Sequence, residues 1–140
     1  MKKNTKGFTL IELLAVIVIL AIIALIATPI VLNLIERARK GAAQDSAYGL
    51  RKTVQLYYQT VLLDHPTGIN SDITFTFDEN GNVTVAPSYT GVEFKLDGTK
   101  PTAGTVTMSK DGVTISGTVT INGYGCPMSA SGEITCSKNS

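Results

Sequence analysis

The hydrophobic pattern changes character twice along the chain. Residues 8–32 are apolar on every side, with a single charge, Glu12, in 25 residues. As a helix this segment is about 37 Å long, enough to cross a ~30 Å hydrocarbon layer with some tilt. Positions 13–32 include fourteen Leu, Ile or Val. Each contributes roughly −0.3 to −0.6 kcal/mol at mid-membrane, whereas one acid costs about +3 kcal/mol at the centre and less near an end. The sum favours insertion. The run from Val16 to Ile19 is a mediocre helix in water, but lipid offers the backbone no other hydrogen-bond partner.

After Pro29 the apolar pattern narrows to a stripe of Ile35, Ala38, Ala42, Ala43, Ala47, Leu50, Val54, Tyr57 and Val61, stepping by three and four from Ala43 onward. That is the period of an amphipathic helix, with Arg51, Lys52, Gln55 and Gln59 turned away. The spacing predicts one helix, bent at Pro29, where a hydrogen bond is lost and the preceding turn is crowded. It ends near Leu63, ahead of the breakers Asp64-His65-Pro66-Thr67-Gly68.

From there the period becomes two. Apolar residues at 73, 75 and 77, at 83 and 85, at 92, 94 and 96, at 106 and 108, and from 113 to 121 alternate with Thr, Ser, Glu or Lys, Gly117 standing at one apolar position. They predict strands with one dry face and one wet, Thr-rich face. Glu79-Asn80-Gly81-Asn82, Asp97-Gly98 and Lys110-Asp111-Gly112 supply the turns of an antiparallel meander. Residues 64–140 lack Trp and have few large side chains, so a lone sheet would hold too little apolar area. The helix stripe between Ile35 and Val61 is the available cover. The expected fold is α+β: a long helix whose outer half carries a small antiparallel sheet and whose inner half protrudes bare.

Charge adds an asymmetry. The 12 basic and 11 acidic residues nearly cancel, but the part before Asp64 is basic and the part from Asp64 onward is acidic. The later part has no basic stripe for backbone phosphates, so direct nucleic-acid binding is not expected. Around the apolar segment, Lys2, Lys3 and Lys6 nearly match Arg37, Arg39 and Lys40, and the positive-inside rule barely decides an orientation. An ordinary cleaved secretory signal fits poorly. The apolar stretch is too long, and no small-x-small site precedes a hydrophilic start. Cys126 and Cys136, with Pro127 and Gly132 between them, read as a disulfide in an exported head, with two free thiols as the alternative.

The opening Lys6-Gly7-Phe8-Thr9-Leu10-Ile11-Glu12-Leu13, followed at once by the apolar helix, resembles the class III signal of type IV prepilins and pseudopilins. The resemblance is detailed over residues 6 to about 36 and architectural beyond. It implies a leader of residues 1–7, cut between Gly7 and Phe8 by a membrane-embedded prepilin peptidase that also N-methylates Phe8. It further implies a cytoplasmic N-terminus, an exported head, and a Pro29 at the spacing where the family often disrupts its helix. Glu12 has its own physical reason to need a partner, since a carboxylate in a membrane helix is unfavourable. In the family that partner is the methylated N-terminus of an adjacent subunit, here Phe8.

The implied organisation is a leader (1–7), a transmembrane and filament-core helix (8–32), an amphipathic helix packing on the head (33–63) and a β head with a C-terminal cysteine loop (64–140). The expected role is a non-enzymatic pilus subunit. It inserts once in the cytoplasmic membrane, then polymerises with copies of itself into an extracellular filament, driven by an assembly platform and ATPase. The alternatives are a pseudopilin of a competence or type II secretion apparatus, and a membrane-anchored exported binding module. No catalytic, metal or cofactor residues are expected. His65 sits where the helix should end, and Asp78-Glu79-Asn80-Gly81-Asn82 does not fit the twelve-residue calcium loop and reads as a hairpin turn.

Overall fold

The computed structural model describes residues 7–139. Lys2, Lys3 and Lys6, and with them most of the expected leader, lie outside the described residues. The chain divides into two compact units, one ending at Arg37 and the other beginning at Ala38.

Helix α1 spans Leu10–Asp64 and continues through Pro29 without a break. Pro29 has no N–H to give, so the carbonyl four residues earlier, at Leu25, loses its ordinary partner. Beside it, the Thr28 hydroxyl donates to the carbonyl of Ala24 at 2.6 Å. The large apolar side chains from Phe8 to Ile35 are all between 41% and 85% exposed. At the other end the helix stops at Asp64. His65 N–H still donates to Val61 C=O (2.8 Å), Gly68 N–H closes a turn on His65 C=O (3.0 Å), and Gly68 takes φ +93°.

In the second unit the buried face of α1 is Ala43, Ala47, Leu50, Val54, Tyr57 and Val61. Ile35, Ala38 and Ala42, expected in the same stripe, are exposed. The stripe therefore starts at Ala43, the first helix residue the sheet covers, where Cys126 Sγ lies 3.9 Å from the Ala43 carbonyl oxygen. Ala43 and Ala47 occupy this end of the buried stripe, and the larger Leu50, Val54, Tyr57 and Val61 follow along it.

Among the described residues six antiparallel strands form one sheet: β1 (Ile73–Phe77), β2 (Val83–Ala86), β3 (Ala103–Met108), β4 (Ile115–Ile121), β5 (Tyr124–Met128) and β6 (Ser137–Lys138). Their order is β2-β1-β3-β4-β5-β6. This corrects the expected meander. β1 lies between β2 and β3, and residues 87–102 carry the chain back from one side of β1 to the other. Val92, Phe94 and Leu96, expected as a strand, are in that crossing and pair with no strand. Their alternation is real but has another cause, because all three insert side chains against the core. The Phe94 ring centroid is 4.9 Å from Phe75, 6.2 Å from Tyr57 and 6.3 Å from Phe77.

Strands β5 and β6 extend the sheet beyond the expected set. Asn122 and Gly123 both take positive φ, 53° and 82°, the conformation a two-residue hairpin of this twist requires. Pro127 is tolerated in β5 because β6 pairs only with Tyr124 and Gly125, leaving that edge open at residue 127. Among the described residues no polar or charged side chain is buried. Dry residues from β1, β3, β4 and β5 close over the helix stripe, each Leu, Ile, Val or Phe contributing roughly 1.5–3 kcal/mol.

A disulfide joins Cys126 and Cys136. A loop of this length contributes roughly 3 kcal/mol by restricting the unfolded chain. The loop is also held by the helix. Gln44 Nε2 donates to Ile134 C=O (3.3 Å), Ile134 N–H donates to the Tyr48 hydroxyl (3.0 Å), and Arg51 Nη1 donates to Ser129 C=O (3.1 Å).

Candidate functional site

Of the residues with a predicted role in processing and assembly, Gly7, Phe8 and Glu12 gather at the start of α1. Residues 7–9 are not helical, and the helix begins at Leu10. Thr9 sets that boundary. Its carbonyl accepts the Leu13 N–H at 3.1 Å and its hydroxyl accepts the Glu12 N–H at 3.2 Å, satisfying donors that the first helical turn leaves open. Thr9 was not among the expected site residues. The signal is present in the sequence, since Thr9-Leu10-Ile11-Glu12 has the Thr-x-x-Glu form of a capping box ahead of an apolar run.

One turn of helix thus separates two groups. The Gly7–Phe8 peptide bond lies in open, non-helical backbone, and Phe8 is 78% exposed. A Cβ added at Gly7 would meet nothing within 4 Å. The fold of this chain places no demand for glycine there, so a requirement for it belongs to whatever reads the segment. Glu12 is exposed, and its carboxylate has no hydrogen-bond or ion-pair partner among the described residues. Its own helix N-terminus favours the negative charge but does not neutralise it. Among the described residues none covers Glu12 from a cation of another molecule.

Pro29 lies 17 residues after Glu12, about 26 Å along the helix. It shares the exposed apolar surface and does not contact the Glu12 end. Among the described residues, one helix is long and apolar enough to cross a membrane, and none of its most apolar stretch is buried.

The other side chains weighed from the sequence are engaged in local structure. Asp78 Oδ1 accepts the N–H groups of Asn80 (2.9 Å) and Asn82 (2.8 Å), and Oδ2 accepts Asn82 Nδ2 (3.2 Å). The Asn82 backbone bond, foremost, holds the Asp78 carboxyl below its ordinary range. Asp111 is also lowered, first by the Ser109 hydroxyl, in the turn between β3 and β4. The His65 ring stands edge-on to Tyr89 at 5.2 Å, with Nδ1 buried and without a hydrogen-bond partner. Among the described residues no group of three or more His, Cys, Asp or Glu is placed to hold a metal ion.

Compared with protein-family models, residues 2–28 match the prokaryotic N-terminal methylation motif. No curated protein and no solved structure matches the chain. The family match covers the segment built around Gly7, Phe8, Thr9 and Glu12 and stops just short of Pro29. The N-terminal segment of this chain therefore carries the methylation signal of a prepilin-type precursor.

Proposed function

We propose that the chain is a structural, non-enzymatic subunit of a type IV pilus. A prepilin peptidase removes residues 1–7 and methylates the new amino terminus at Phe8. Residues 8–32 hold the subunit in the cytoplasmic membrane as a single pass with the N-terminus inside. They then become the core of an extracellular filament of identical subunits, drawn from the bilayer by an assembly platform and ATPase. Residues 64–140, with the helix face from Ala43 to Val61, form the head.

The observation that carries this reading is the combination at the head of α1: a Glu12 carboxylate without a partner among the described residues, one turn from Phe8, followed by a helix exposed on all sides as far as Ile35. An apolar surface of that length needs lipid or other helices. A bundle of copies exchanges one for the other and gives each Glu12 a neighbouring Phe8 ammonium. Removing one partner of a desolvated ion pair costs about 3 to 5 kcal/mol. Glu12→Gln should therefore be exported and cleaved normally but yield at least tenfold less sheared filament. Filaments of unchanged amount and length from Glu12→Gln would refute the pairing.

A further inference from the structure

The wet face of the sheet carries a surface with no part in this reading. The strand register aligns its threonines. Thr84 lies opposite Thr76, Thr76 opposite Thr105, and Thr105 opposite Thr118, so one row crosses four strands. Two residues along, a second row runs through Thr74, Thr107 and Ser116. Neighbouring strands are about 4.8 Å apart, and the rows about 6.8 Å apart.

Two properties distinguish this face from an ordinary solvated sheet. First, no Asp, Glu, Lys or Arg occupies any position of β1 to β4, although the chain from Asp64 onward has four Lys and eight acids. The preference of strands for threonine explains the residue type but not the missing charge. Second, the two rows differ in satisfaction. Thr74 and Thr107 hydroxyls lie 3.4 Å apart and bond each other. Thr84, Thr76, Thr105 and Thr118 are exposed, and none of their hydroxyls bonds another protein group among the described residues.

We propose that this face binds a neutral polysaccharide, laid across the strands with successive pyranose rings over the row Thr84, Thr76, Thr105 and Thr118. Each threonine hydroxyl both donates and accepts, as sugar hydroxyls do. The repeat of a pyranose chain, one ring per step, is close to the strand spacing, so one polymer meets several threonines in register. Charge complementarity selects the neutral partner. An anionic polymer or nucleic acid is held by cations, which this face lacks. A protein partner is held by buried aromatic, Met and Arg side chains, also lacking here. The proposal does not depend on filament assembly.

The test is affinity electrophoresis of the full chain in a polyoxyethylene detergent, which avoids sugar headgroups, through gels containing hydroxyethyl cellulose, dextran or anionic polygalacturonate. The wild type should be retarded by at least one neutral polymer and not by polygalacturonate. The isosteric triple variant Thr76→Val, Thr105→Val, Thr118→Val should bind at least tenfold more weakly, as expected for losing several hydrogen bonds. The Thr76→Ser, Thr105→Ser, Thr118→Ser variant, which keeps the hydroxyls, should stay within threefold of wild type. Circular dichroism checks the fold, and Thr105→Val alone replaces the triple variant if that does not fold. Wild type that is not retarded by either neutral polymer, equal retardation of the Val variants, or retardation by polygalacturonate alone overturns the proposal. None of these results bears on Glu12 or on cleavage at Gly7, so the filament reading stands or falls separately.

Discussion

Phe94→Ala isolates a segment held by side chains rather than by strand pairing. Residues 92–96 have no ladder hydrogen bonds, and Phe94 is their main anchor, packed among Phe75, Tyr57 and Phe77. Truncating a fully buried Phe costs about 3 to 5 kcal/mol. Phe94 is mostly but not fully buried, so at least about 2 kcal/mol is the expected loss, part of it the aromatic contacts themselves. In a unit of about 100 residues this lowers the melting temperature by roughly 8 to 16 °C. Thermal unfolding followed by circular dichroism, in the same detergent for wild type and variant, reads the shift. Amide exchange should accelerate most at residues 88–100. Val113→Ala is the control, since Val113 is 74% exposed despite its place in the apolar alternation, and it should change stability by less than about 0.5 kcal/mol. A melting temperature for Phe94→Ala within 2 °C of wild type, or equal losses for both variants, would refute the packing account of this segment.

Two further outcomes follow from the strand glycines and the hairpin carboxylate. Gly104 has φ +102°, and a Cβ there would collide with the Thr118 carbonyl oxygen of the neighbouring strand. Gly104→Ala should cost more than about 3 kcal/mol in urea unfolding, whereas Gly98→Ala, at φ +92° in open space, should cost about 1 to 2 kcal/mol. The folded-state pKa of Asp78 is depressed, so its stabilising effect is present above the unfolded carboxylate value and is lost as pH falls through the lower folded value. A side-chain carboxyl NMR titration should place Asp78 below an ordinary aspartate and show the 78–82 turn loosening in that acid range. Asp78→Asn should abolish the transition.

The legible parts of the fold were those where one force sets the pattern. A 3.6-residue stripe marked the buried helix face from Ala43 to Val61, and strict alternation marked β1, β3 and β4. What was not legible depended on what each apolar row meets. Val92, Phe94 and Leu96 alternate like a strand because an extended segment lying on a core also presents every second side chain, and nothing local distinguishes the two. β5 lacks alternation, with Gly125 and Pro127 between its buried residues, and so was not among the expected strands. Ile35, Ala38 and Ala42 continued the stripe in sequence but not in burial, since how far a sheet reaches along a helix is set by strand length and register. At the candidate site, Gly7, Phe8 and Glu12 were readable as a motif, and Thr9 through its capping pattern. That Glu12 has no partner among the described residues became visible only in the structure.

The central claim is that this chain is cut at one bond and then polymerises, and the most direct measurement is mass spectrometry of the N-terminus of sheared surface material. The account expects a chain beginning at N-methylated Phe8. A chain recovered only from membranes and beginning at Met1, in cells with a working prepilin peptidase, would contradict it.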